Sequence, residues 1–139
     1  MKIVVDTSIL IDFTRGEKTE KGSLLWMELV NYAKSGKHQL IVPSLAIFEF
    51  FSGKEMENSD DIEKAEDLLK DTFIEDLDEK IAKKAADLYR KHVRNIGVVD
   101  YVLAATSIVD DGELATLNSK HFSIFEDLKL FDFKKLDKV

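Results

Sequence analysis

The 139-residue chain has no cysteine, one proline, one tryptophan and six glycines. Without cysteine there can be no disulfide, no thiolate metal site and no thiol nucleophile. No two glycines lie closer than six positions apart, which excludes a glycine-rich phosphate-binding loop. No Gly-x-Ser-x-Gly elbow marks a serine hydrolase. No apolar run approaches the length of about 20 residues needed to span a bilayer. No signal-peptide pattern precedes Asp6, and Met1-Lys2 leads straight into apolar residues. These absences predict a native N-terminus, a cytoplasmic protein and no membrane partner.

Positive charge is also scarce: 20 Lys and Arg stand against 27 Asp and Glu, a net charge of −7. Proteins that bind nucleic acid over their whole surface are basic, so a phosphate-rich ligand needs a local basic patch or a metal ion here. The content, 45% hydrophobic and 34% charged, is that of a soluble globular domain rather than a disordered chain. The length suits a single domain, residues 1–139, able to bury roughly two-thirds of its unfolded surface.

Apolar periodicity alternates between short strands and helices. Residues 2–6 read as a buried strand, Thr7 to Phe13 as a helix ending near Arg15-Gly16, and residues 22–35 as a helix closed by Gly36. His38 to Val42 read as a second strand. Pro43-Ser44 opens a helix over Leu45 to Phe51, since proline is tolerated in a first turn. Ser59-Asp60-Asp61 starts the next helix, with acids at its positive dipole end. Residues 72–77 form a brief extended piece, and Ile81, Ala85, Leu88, Tyr89 and His92 trace one stripe of a longer helix. Gly97 separates it from a helix over Val99 to Val109, which Asp110-Asp111-Gly112 terminates. Leu114 to Leu117 and Leu128 to Phe133 read as the last two strands. The economical fold is a three-layer α/β/α domain with a central, mostly parallel sheet.

Four polar residues stand at the edges of these apolar segments: Asp6, Glu49, Asp100 and Asn118. The last three follow the first by 43, 94 and 112 positions, so only a folded sheet can gather them. In such sheets ligands collect at the C-terminal strand edge, near a switch in strand order. Bare carboxylates a few ångströms apart repel, and a divalent cation such as Mg²⁺ or Mn²⁺ removes that cost. Each residue also has a plain reading: Asp6 as a helix N-cap, Glu49 as an exposed helix residue, Asp100 as a first-turn acid, Asn118 as a turn residue. The histidines at 38, 92 and 121 lack metal-ligand spacing and read as structural. The acidic runs at 55–61, 75–79 and 110–113 read as solvated faces.

With these motifs the chain resembles the PIN-domain family, and most closely its VapC-type toxin ribonucleases. Ile3-Val4-Val5-Asp6-Thr7-Ser8 is similar to the family's opening strand and first acid. Val42-Pro43-Ser44-Leu45-Ala46-Ile47-Phe48-Glu49 resembles the segment with the second acid. Asp100-Tyr101-Val102-Leu103-Ala104-Ala105 resembles the third-acid helix. Ala115-Thr116-Leu117-Asn118-Ser119-Lys120-His121-Phe122 resembles the fourth motif. The resemblance implies a PIN-like fold and a Mg²⁺- or Mn²⁺-dependent endoribonuclease acting on single-stranded RNA. Asp6, Glu49 and Asp100 are then catalytic residues and metal ligands, with Thr7 and Thr116 bonding the site's carboxylates or waters. Asn118 stands where many relatives carry Asp, and Leu117 where relatives often carry Arg. Substrate contacts then fall to Arg15, Arg94 or Lys120. The implied partners are RNA, a cognate antitoxin that wraps the toxin, and a second copy in a homodimer. Trp26, Tyr32, Phe50 and Phe51 are candidates for such surfaces, though each also reads as core. Two other readings stand beside this one: a PIN nuclease of RNA processing or decay, and a non-catalytic α/β binding module.

Overall fold

The computed structural model describes residues 1–16, 22–93 and 96–138. Its first strand, β1 (Lys2–Val5), is apolar because both of its faces are covered: Ile3, Val4 and Val5 are wholly buried. Two helices follow, α1 (Thr7–Gly16) and α2 (Gly22–Gly36), and then β2 (Gln39–Pro43). Pro43 caps α3 (Ser44–Phe51) with extended dihedrals, so the missing N–H costs nothing there. A 3-10 turn leads to α4 (Ser59–Leu69), whose first turn is capped by the Asn58 side chain accepting from the Asp60 N–H at 2.8 Å. After β3 (Phe73–Glu75), Asp78 caps α5 (Glu79–Lys91) by accepting from the Ile81 N–H at 2.8 Å. The remaining elements are α6 (Val98–Val109), β4 (Glu113–Ala115), α7 (Ser119–Phe122) and a final 3-10 helix.

The sheet has the order β3-β2-β1-β4, and each of its pairings is parallel. Crossovers between parallel strands are right-handed as a rule, and the strand order reverses direction between β3 and β4. By that rule α5 and α6 lie on the face opposite α1 and α2, the expected three layers. α1 packs on α2 and α5 on α6. The chain leaves β1 toward β2 on one side and returns to β4 on the other, so the switch in strand order lies at the C-terminal ends of β1 and β4.

The segment Leu128 to Phe133 is not a fifth strand. It touches the sheet at one parallel bridge, Leu114 with Leu130, through hydrogen bonds Leu114 N–H to Lys129 O (2.9 Å) and Phe131 N–H to Leu114 O (2.8 Å). Its apolar residues serve instead to pack on the core, with Phe131 buried before the chain turns into the last 3-10 helix. Where α6 turns into β4, Asp111 takes a left-handed φ of 52° and Gly112 passes against β1. A Cβ on Gly112 would lie 2.5 Å from the Lys2 carbonyl oxygen, so only glycine fits that crossing.

Trp26 and Phe50 are buried, and Tyr32 and Phe51 pack against the core half-buried. His38 stacks on Tyr32 and His92 meets Phe125 edge-on, so both imidazoles sit in aromatic packing. Among the described residues no helix is long and apolar enough to cross a membrane. Two acids from runs expected to be solvated are not: Glu75 faces Asp110, with Glu75 Oε2 and Asp110 Oδ2 buried and lacking a donor. Burial first, and Asp110 second, push the Glu75 carboxyl up from 4.5 to about 7. A raised folded value stabilises the protein below the unfolded pKa, and that contribution is lost as pH rises through about 7. Glu75→Gln should therefore flatten the fall in melting temperature between about pH 5 and 8, measured by thermal unfolding across that range.

Candidate active site

Asp6 follows the last residue of β1 and is only 3% exposed, although its backbone continues the sheet by donating to Ala115 O at 2.9 Å. A buried carboxylate needs donors, and two hydroxyls supply them. Ser8 donates to Asp6 Oδ2 at 2.8 Å and Thr116 donates to the same oxygen at 2.6 Å. Each hydroxyl in turn accepts a backbone N–H: Ser8 Oγ from Leu117 at 3.2 Å, Thr116 Oγ1 from Asn118 at 2.9 Å. Two N–H···O–H···O⁻ relays thus tie the β1–α1 turn to the β4–α7 turn, and both end on one oxygen. Oδ1 accepts no hydrogen bond among the described residues and remains available at the cleft.

That cleft has a volume of about 450 Å³ and includes Asp6, Glu49 and Asp100 in its walls, each brought by a different element. Glu49 comes from α3 and is exposed, while its neighbour Phe50 is buried and Phe48 is 69% exposed. Asp100 comes from the first turn of α6, its side chain 22% exposed. Asn118 and Arg15 also line the cleft, with Arg15 paired to Glu55 at 3.7 Å. Thr7 is buried, but its hydroxyl has no hydrogen-bond partner, and the residue is not among those lining the cleft. Arg94 lies outside the described residues.

Three further residues belong to the site and were not singled out from sequence: Ser8, Asp12 and His121. The resemblance implies a site role for the Thr7 hydroxyl, but the structure gives the bond to Asp6 to Ser8, one position further on in the same motif. Successive residues entering a helix point about 100° apart, so adjacency does not mean contact. His121 Nδ1 stands 3.9 Å from Asp100 Oδ2.

The electrostatics are those of a cluster short of positive charge. Burial, then the charges of Asp6 and Glu49, push the Asp100 carboxyl up from 3.8 to about 6, against smaller lowering effects of His121 and the Gly97 backbone. Among the described residues no three acidic or imidazole side chains converge as a ready-made ligand set. Like charges hold one another apart, and a Mg²⁺-type ion retains several waters, so it needs only one or two direct carboxylates. An Asp100 carboxyl pushed up by burial and by two acidic neighbours, with one unengaged oxygen on the buried Asp6 carboxylate, fits a hard divalent cation.

Comparison with known proteins is consistent across three kinds of match. The family model described as PIN domain matches residues 3–127. Ribonuclease VapC19 of Mycobacterium tuberculosis is 32% identical over 126 residues, covering 91% of this chain and 96% of that protein. Ribonuclease VapC10 of the same organism is 35% identical over 130 residues, covering 91% of this chain and 90% of that protein. VapBC2 from Rickettsia felis, solved bound to a promoter DNA fragment, has a chain of TM-score 0.76 at 19% identity, with coverage of 94% of this chain and 98% of that one. DNA-bound VapBC from Salmonella typhimurium has a chain of TM-score 0.76 at 18% identity, covering 96% and 98%. At such identities the structural likeness speaks for the fold alone.

Proposed function

The chain belongs to the PIN-domain family, and on that premise we propose that it is the endoribonuclease toxin of a toxin–antitoxin pair, hydrolysing single-stranded RNA with the help of Mg²⁺ or Mn²⁺. The observation that carries this reading is the buried Asp6, gripped by Ser8 and Thr116 and facing Glu49 and Asp100 across one cleft. Its relatives at 32% and 35% identity are named ribonucleases. A purely structural buried acid would have both of its oxygens engaged, whereas both donors to Asp6 fall on Oδ2.

Asp6 and Asp100 would hold the ion, with Glu49 completing the cluster directly or through water. When bound, a divalent cation polarises a phosphodiester and makes water more acidic. The protein's own residues do the positioning. Ser8 and Thr116 fix Asp6 so that one carboxylate oxygen stays in place without reorganisation. Glu49, exposed and lining the cleft, would orient the attacking water and accept its proton. Asn118 brings a neutral amide to the wall and adds no charge, so one firmly held ion is the reading we adopt. The antitoxin partner, a homodimer and a cytoplasmic setting form part of the same proposal.

The decisive experiment incubates purified protein with Mn²⁺ and a labelled single-stranded RNA. Cleavage that disappears with chelator supports the reading, and intact RNA overturns it. Growth arrest on expression, relieved by a neighbouring antitoxin gene, separates toxin from processing nuclease. A second expectation follows from Asp100. Its raised pKa favours the ion-free protein below the unfolded value of 3.8, and that contribution is lost as pH rises through about 6. A cation reverses the penalty on the ionised form. Mn²⁺ should therefore raise the melting temperature more at roughly pH 7.5 than at pH 5, and binding at intermediate pH should release protons, read by calorimetry in buffers of different ionisation heat.

A further inference from the structure

The proposed cleft is acidic where it must meet a polyanion. Asp6, Asp12, Glu49 and Asp100 line it, and Arg15, the one Lys or Arg among the described residues that line it, is already paired with Glu55 at 3.7 Å. A metal ion offsets charge at the acids but not along the neighbouring nucleotides, where the net charge of −7 still opposes RNA. Some part of the rim has to supply donors.

The α7 turn has the required properties. Leu117, Asn118, Ser119, Lys120 and His121 line a hollow of about 300 Å³, which shares Leu117, Asn118 and His121 with the cleft and so continues it. Lys120 is exposed and forms no ion pair among the described residues. The His121 side chain is 55% exposed beside Asp100, and Leu117 is 47% exposed. These side chains nonetheless stand on a rigid support. Phe122, 1% exposed, anchors the turn in the core. The Thr116 hydroxyl that grips Asp6 also holds the Asn118 N–H, and Asn118 O accepts from the His121 N–H at 3.0 Å. The Ser123 hydroxyl ties back to Lys120 O at 3.1 Å. α7 and Asp6 are thus fixed to one another, and exposed donors on such a support face a ligand rather than the protein.

We propose that Lys120 and His121 are substrate-positioning residues that donate to the phosphates of the RNA nucleotides flanking the scissile bond, with Leu117 beneath a base. This rests on the ribonuclease reading above. The contacts are to backbone phosphate, so they fix register and carry no sequence preference.

The test is steady-state cleavage of a single-stranded oligoribonucleotide with Mn²⁺ at several salt concentrations, for wild type, Lys120→Ala, Lys120→Arg, His121→Ala and His121→Gln. Both alanine variants should raise KM about tenfold, the scale of one lost charge-assisted hydrogen bond, with kcat within about twofold. Lys120→Ala should also reduce the slope of log(kcat/KM) against log salt by about 0.7, one phosphate's worth for a single strand. Lys120→Arg and His121→Gln, which keep a donor, should restore most of the lost KM. Melting temperature and Mn²⁺ affinity should be unchanged in all four. Wild-type KM and salt slope in the alanine variants overturn the inference while leaving the ribonuclease reading intact. Weakened Mn²⁺ binding in His121→Ala overturns it for His121, which would then act through Asp100. A wild-type protein that cuts no RNA overturns the functional reading and this inference together.

Discussion

Asp6→Asn is expected to slow RNA cleavage by roughly a thousandfold, equivalent to about 4 kcal/mol of transition-state stabilisation, the scale of metal-assisted catalysis. The substitution keeps the side chain's size and its acceptor oxygen. Ser8 and Thr116, at 2.8 and 2.6 Å, can still donate to it, so the tie between the two turns persists. What disappears is the charge of a buried carboxylate with an unengaged oxygen at the cleft. It also removes one of two acids that raise Asp100, so the ion-free variant should be no less stable than wild type. The Mn²⁺-induced rise in melting temperature should be lost with the activity. An Asp6→Asn protein that cuts RNA at the wild-type rate would falsify the assignment of this site. Loss of activity with a large drop in melting temperature would instead mark Asp6 as a structural cap.

Phe122→Ala is expected to cost about 3–5 kcal/mol of stability, a large share of what a domain of this size possesses. Phe122 is among the largest side chains that are fully buried, and α7, at four residues, has no helical stability of its own. Removing the ring leaves a cavity and releases the anchor of the β4–α7 turn. Thermal unfolding should show a fall of roughly 10–20 °C. Below that transition KM for RNA should rise as well, because Lys120 and His121 lose their fixed support. Phe122→Leu, which refills most of the volume, should recover most of both losses. A melting temperature within a few degrees of wild type in Phe122→Ala would show that the turn is held by its hydrogen bonds alone.

Much of the fold was legible residue by residue. The run Ile3-Val4-Val5 is continuously apolar because a central parallel strand is covered on both faces. Gly97 and Asp110-Asp111-Gly112 bound α6 as expected, since φ of 52° at Asp111 and the close pass of Gly112 demand such residues. Leu128 to Phe133 reads as a strand because it is apolar, yet apolar side chains bury themselves against a core whether or not a neighbouring strand pairs along their length. α4 starts at Ser59 as expected, and the residue before it, Asn58, supplies the cap.

By itself the sequence determined the order of β1 to β4 and of α1 to α6 and brought Asp6, Glu49, Asp100 and Asn118 to the edges of their segments. These are local matters of apolar periodicity, capping and turn chemistry. Only the tertiary structure decided that Ser8 rather than Thr7 bonds Asp6, that Glu75 and Asp110 face each other, and that His121 lines the cleft while His38 and His92 sit in aromatic packing. The physical reason is direction and distance. A hydroxyl meets a carboxylate from more than 100 positions away only where the packing of β1 against β4 brings their turns together, as it does for Thr116 and Asp6.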